Sequence, residues 1–209
     1  MTRENYKKAV LAKIDEISPY ENVDIIWDLL MEQVLNEACN NFLMICPLHL
    51  IDTSNIPTYT FVNNDDGTGF IRLPKDFLRL SQFKMKDWQR PVIVPITQES
   101  PRYNLQKDKY TRGGVAKPVC ALVEMMPVST TYLTTVLELF PIYYDWTEND
   151  IEKALYIKQT LPENLQDNLL SGAQWYTASQ LLLQMNQQDF AKVAQMKFEE
   201  FIKLNSSRG

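Results

Sequence analysis

Few residues in this chain have the types and spacing that chemistry requires. His49 is the only histidine, so a cage of several histidines around a metal is impossible, and any catalytic triad would have to use this one ring just after a helix end; a satisfied structural histidine is the expected reading. Cys39, Cys46 and Cys120 match no zinc-binding spacing. The first two lie seven residues apart on one predicted helix, about 10 Å along its axis and beyond disulfide reach, so all three are expected to be buried free thiols. Neither a nucleophile elbow nor a phosphate-binding glycine loop occurs: Gly67-Thr68-Gly69 falls in a hairpin turn, and Gly113-Gly114 precedes no helix. The acid pairs Glu199-Glu200 and Asp65-Asp66 read as solvated charge on a helix and in a turn. No catalytic, cofactor-binding or metal-binding residue is expected. One mixture of rings and cations stands out, Tyr103, Lys107, Lys109, Tyr110 and Arg112, which can stack on bases and pair with phosphates, although no aromatic sheet platform accompanies it.

The elements that must position these residues follow from periodicity. Thr2 caps a helix to Ile17 with Tyr6, Val10 and Ile14 on one face, and Ser18-Pro19 end it. From Val23 to Cys46, Trp27, Leu30, Met31, Val34, Leu35, Ala38, Phe42 and Ile45 recur at helical spacing, Asp24 and Asp28 suit the helix N-terminus, and Pro47 terminates. The opposite face carries Glu32, Asn36, Glu37 and Asn40, so it is wet or meets something polar.

The segments 58–62 and 68–73 flank the turn cluster Asn63-Asn64-Asp65-Asp66-Gly67 and read as a β-hairpin. Ile71 to Leu80, IRLPKDFLRL, reads as two half-buried strands joined by a corner at Pro74, with Arg72 facing outward, Asp76 accepting from backbone N–H groups and Phe77 plugging the core. After it, 78–86 alternates without a clean apolar face, which predicts a strand covered on both sides or one carrying a bulge. Trp88 follows at a tight turn before a short return strand, 91–94; at the turn tip it either contacts a partner, which makes it an interface candidate, or folds back onto the sheet.

Residues 97–117 form a long polar connection with Arg102, Lys107, Lys109, Arg112 and Lys117 and the flexible pair Gly113-Gly114; connections of this length are usually functional or disordered. Strands are expected over 118–124 and 132–140, the second stopped by Pro141. Residues 145–159 alternate as a strand does, yet Asn149 is placed to cap a helix, so periodicity leaves both open. Thr160-Leu161-Pro162-Glu163 reads as a capping box opening a helix with Leu165, Leu169, Ala173, Tyr176 and Leu181 on its stripe, and a closing antiparallel helix carries Phe190, Val193, Ala194, Met196, Phe198, Phe201 and Ile202.

The 209 residues, 45% hydrophobic and 22% charged, suit a globular α+β protein, with disorder expected only over 205–209. The apolar stretch around 42–51 is too short and too interrupted for a membrane span, and MTRENYKKAV has no apolar core of a secretory signal. Net charge is −5 but uneven: residues 1–57 carry 4 basic and 9 acidic residues, whereas 72–117 carry 11 basic and 4 acidic. An acidic chain with one basic segment is no general nucleic-acid binder, but that segment suits phosphate or an acidic protein surface.

Three passages in order, WDLLMEQVLNEACNNF (27–42), RLPKDFLRL (72–80), and LELFPIYY (137–144) leading to LPENLQDNLLSGAQWYTASQLLLQMNQQDFA (161–191), resemble the head-to-tail adaptors of tailed bacteriophages, of the tail tubular A or gatekeeper type and the ring proteins of crAss-like phages. The likeness spans roughly residues 20 to 204; the first helix and the long basic connection depart from the shared pattern. It favours a final strand over 145–159. It implies one adaptor domain over 1–209, with N-terminal helices (1–57), an inserted antiparallel β-sheet or sandwich module (58–160, basic loop 97–117), a C-terminal helix pair (161–204) packed with the first helices as a bundle, and a tail.

The resemblance further implies a structural, non-enzymatic virion protein, made and assembled in the host cytoplasm. It would form a homo-oligomeric ring, typically a dodecamer, that contacts the portal protein and further tail or ring proteins. Genomic DNA would pass through its lumen without sequence-specific binding, and no membrane or cofactor is involved. Trp88, Arg102, Lys107, Lys109 and Arg112 are the expected interface residues. The alternative is a small nucleic-acid-binding accessory protein that uses the basic segment 102–117.

Overall fold

The computed structural model describes residues 1–17, 26–125 and 134–206, with side chains from residue 30 in the second helix. The chain is α+β, and it divides into a helical unit, Met1–Asp52 with Gln159–Gly209, and a β unit, Thr53–Lys158.

In the helical unit, α1 (Arg3–Ile17) starts where Thr2 accepts from the Asn5 N–H at 3.2 Å, and it buries Tyr6, Val10 and Ile14 as expected. Helix α2 (Ile26–Ile45) buries Met31, Val34, Leu35, Ala38 and Phe42. Ile45, expected on that stripe, is instead 52% exposed, because the buried face runs from Phe42 to Cys46, four residues on. Trp27, Asp24 and Asp28 lie outside the residues whose side chains are described. The polar face of α2 meets α1: Glu32 accepts from Arg3 Nη2 at 2.7 Å and pairs with Lys7, and Asn36 accepts from Arg3 Nη1 at 3.1 Å.

Helix α4 (Asp167–Gln184) packs against α1, α2 and α5 (Gln188–Ser206). It is buried nearly all round, which small residues such as Gly172, Ala173 and Ala178 permit. A side chain at Gly172 would meet the Phe201 ring at 2.4 Å, so glycine is what lets α5 lie this close. Asn186, with φ of 60°, makes the turn between them. The expected capping box at Thr160 does not open α4. Residues Pro162–Asn164 form a single 3-10 turn, and α4 begins only at Asp167. Thr160 is used to dock this segment on α2: its N–H donates to Asn40 Oδ1 at 3.1 Å, and its carbonyl accepts from Cys39 Sγ at 3.2 Å. Of the expected tail, 205 and 206 are the last helical residues, and 207–209 lie outside the described set.

The β unit holds two sheets. Strands β1 (Ser54–Asn55), β4 (Phe77–Met85) and β8 (Ile151–Lys158) form one, in the order β1-β8-β4. The other orders β2 (Val62–Asn63), β3 (Gly69–Arg72), β7 (Thr134–Phe140), β6 (Val119–Met125) and β5 (Ile96–Thr97). All pairs are antiparallel except β5 with β6, so the module is mixed at that edge rather than wholly antiparallel. Residues 145–159 do end in a strand, and the cap before it is Thr147, which accepts from Asn149 N, rather than Asn149 itself.

The corner at Pro74 carries the chain from one sheet to the other, since β3 and β4 belong to different sheets. Arg72 is exposed as expected, but Asp76 accepts from the Tyr156 hydroxyl at 2.9 Å rather than from backbone, and Phe77 stacks on the Tyr156 ring. Of the two causes expected for the irregular burial of β4, the bulge is the one found. Leu80 and Phe83 lie in one core although three apart, positions that face opposite sides of a regular strand; the register shift between Leu80 and Gln82 rephases the strand so that both reach that core. One face of the five-stranded sheet, through Ile71, Cys120, Leu137 and Leu139, shares a core with Leu80, Phe83 and Tyr156 of the smaller sheet. The other face is covered from the segment between β5 and β6.

Candidate interaction surface

That segment is not structureless. Ser100, followed by Pro101, accepts from Arg102 N and starts α3 (Pro101–Lys107), a short helix with proline in its first turn. Tyr103 drops from α3 into a cluster with Val119, Ala121, Val123, Val136 and Phe140, where its hydroxyl donates to Glu138 at 2.8 Å. Burial and that carboxylate push the Tyr103 phenol well above its ordinary range. The ring therefore covers the sheet and is not free to stack on a base. The Ser-Pro cap signature was present in the sequence; the periodicity of seven residues was too short to reveal the helix.

After α3 the chain is tied down. Arg112 donates from Nη1 to the Asp66 carbonyl oxygen at 2.8 Å and from Nη2 to that of Lys107 at 3.4 Å. Gly113 N–H donates to Gln106 Oε1 at 2.8 Å, and a side chain at Gly113 would meet the Lys117 carbonyl at 2.7 Å. Gly113 is thus a close-approach position, not half of a flexible pair.

The anchor point is the turn of the β2–β3 hairpin. Asn63 and Asp66 side chains accept from the Asp65 and Thr68 N–H groups, and Gly67 takes φ of 86°, a backbone that favours glycine. Gly67 also accepts from Ile142 N at 3.0 Å, and Asn63 Nδ2 donates to the Tyr143 carbonyl at 2.8 Å. The hairpin tip therefore holds 107–112 on one side and 142–143 on another.

Of the five expected interface residues, Arg102, Lys107 and Lys109 are exposed on this segment, and Arg112 is half-buried as its anchor. Lys107 Nζ lies 5.0 Å from the centre of the Tyr103 ring, and Lys109 Nζ lies 4.9 Å from that of Tyr110. Tyr110 and Tyr144 project from the two tied segments at 84% and 82% exposure, with Tyr59 the most exposed rings among the described residues. Nothing in the sequence signals the exposure of Tyr144, a tyrosine between Tyr143 and Asp145.

Trp88, the fifth expected interface residue, is instead in the core. It is 1% exposed, it packs edge-on against Phe83, and its indole N–H donates to the Pro141 carbonyl oxygen at 3.1 Å. A turn tip that folds back onto the core buries a large ring and satisfies its one donor at once.

The groups considered for chemistry are held in structural roles. His49 is exposed with Nε2 3.2 Å from the Asn205 carbonyl. All three cysteines are free and buried; burial, with Glu163 nearby, pushes Cys39 up to about 12, and burial alone raises Cys120 well above the ordinary range. Asp65, Glu199 and Glu200 are exposed. Among the described residues, no group of three His, Cys, Asp or Glu is placed to hold a metal ion, and no helix is long and apolar enough to cross a membrane. No family model matches the chain, and no curated protein matches it.

Proposed function

We propose that this protein is a structural subunit of the head-to-tail connector of a tailed bacteriophage. It would form a ring with copies of itself between portal and tail, with genomic DNA passing through the lumen without sequence-specific contact, and it would reside in the virion after assembly in the host cytoplasm. The reading starts from the three passages that resemble such adaptors, and the α+β arrangement with a β module between terminal helices is in keeping with them. The observation that carries it is the Arg112 clamp, which ties a surface bearing lysines and exposed tyrosines to the hairpin tip. A surface ordered before contact loses little freedom on association, the property a subunit that must close a ring requires.

A second reading, a nucleic-acid-binding accessory protein, is favoured by one observation, the exposed Tyr110 ring with Lys109 over it. Duplex binding by a monomer, falling steeply with salt, is its signature.

The mass of the purified protein, alone and with a portal, tests the first reading. A discrete ring in either sample supports it. A monomer in both samples, or absence of the chain from mature particles, overturns it.

A further inference from the structure

Four cations lie along α3 and the turn after it: Arg102, Lys107, Lys109 and Arg112. Three carboxylates are interleaved with them. Asp108 Oδ1 accepts from Tyr110 N at 2.9 Å, and Asp65 and Asp66 occupy the hairpin tip that Arg112 grips. A nucleic-acid backbone presents one sign of charge only, and this surface would offer it about one net positive charge, too little for a strong counterion-release site. A folded protein surface brings acids interspersed with its own cations and apolar contacts. The exposed rings of Tyr110 and Tyr144 suit that kind of partner, because large aromatic side chains carry much of the energy of protein interfaces.

The chain supplies such a partner itself. Its helical unit, residues 1–52 with 159–209, carries 14 acidic and 8 basic residues, a net charge of −6. Within that unit, eight acidic residues and no lysine or arginine lie between Lys13 and its boundary at Asp52, Asp52 included. Helix α1 ends with Asp15 and Glu16 exposed and no basic residue in its last turn, so both carboxylates sit against the negative end of the helix dipole. Lys13, the cation next in sequence, lies 4.5 Å over the Trp175 ring and reaches Glu16 electrostatically, one positive charge against the two carboxylates. A cation arriving from another molecule relieves that end.

We infer that the surface formed by 102–112 and Tyr144 is the face with which one copy grips the acidic helical unit of a second copy, around Asp15 and Glu16. The inference rests on the ring-subunit reading and makes its contact heterologous, with a different surface from each copy.

Sedimentation velocity of the full chain over a concentration series, at low and at physiological salt, tests it. The wild type associates, more strongly at low salt. Lys107→Glu with Lys109→Glu shifts association to at least about tenfold higher concentration, as does Asp15→Lys with Glu16→Lys, and an equimolar mixture of the two variants recovers it. All four positions are exposed, and unchanged circular dichroism and melting show that each variant is folded. Undiminished association of either variant, or no recovery in the mixture of folded variants, overturns this contact and leaves the ring itself standing. A wild type that is monomeric alone overturns the contact, whereas the portal experiment judges the ring. Binding of a duplex DNA probe that is lost in Lys107→Glu with Lys109→Glu, while association is unchanged, gives the face to nucleic acid and overturns the inference.

Discussion

The Arg112 guanidinium and the Asp66 carbonyl oxygen meet at 2.8 Å across 46 residues of sequence. This contact makes the segment after α3 part of the sheet's architecture instead of a loose connection. Arg112→Ala is expected to cost about 1 kcal/mol, the lower end for a charge-assisted bond because the side chain is half exposed. The larger effect is local: amide exchange over 109–114 should accelerate, and trypsin should cut after Lys107 and Lys109 before the rest of the chain. Unchanged exchange there would mean that the clamp holds nothing.

Trp88 is a core residue, so its replacement should be read in stability. Trp88→Ala is expected to lose about 3–5 kcal/mol by urea unfolding, from the lost ring and the cavity left behind. Trp88→Phe keeps most of the packing but leaves the Pro141 carbonyl without this donor, for a loss of about 1–2 kcal/mol. A near-neutral Trp88→Ala in urea, with a defect confined to assembly, would return this ring to the surface.

Glu32 gives a pH signature. Hydrogen bonds from Arg3 and then Lys7 pull its carboxyl down to about 2, below the ordinary value of about 4.3. Because the folded value lies below the unfolded one, these pairs stabilise fully above about pH 4.3, and their contribution is lost as pH falls through about 2. Glu32 is exposed and solvent screens it, so Glu32→Gln should cost at most about 1 kcal/mol at pH 7. The gap between wild type and variant should close in urea melts taken near pH 2. A gap that stays constant with pH would show that the ion pairs are not its source.

The three thiols should be silent in the native state. Cys39, Cys46 and Cys120 are buried, and the thiolate is the reactive form that burial of Cys39 and Cys120 suppresses. A disulfide reagent such as DTNB should titrate none of them at pH 8 in the folded protein and all three in urea. Fast labelling of one thiol would expose an opening that the packing denies.

The helices were legible because their signals are local: a Thr2 cap, recurring apolar side chains from Tyr6 to Ile14 and from Met31 to Phe42, and Pro47 as a stop are properties of neighbouring residues. The turn at Asn63–Gly67 and the bulged strand from Leu78 were legible for the same reason. Residues 58–62, expected as the first hairpin strand, instead hold a 3-10 turn at Thr58–Thr60 and pair only from Val62. What tertiary structure alone decided were matters of which distant groups meet. Thr160 could cap its own helix or dock on Asn40 and Cys39, and packing chose the second. Trp88 could project or fold back, and the acceptor at Pro141, 53 residues away, settled it. The basic segment looked like loose chain because its restraints, Tyr103 on Glu138 and Arg112 on Asp66, are long-range hydrogen bonds that leave no periodic trace in the sequence.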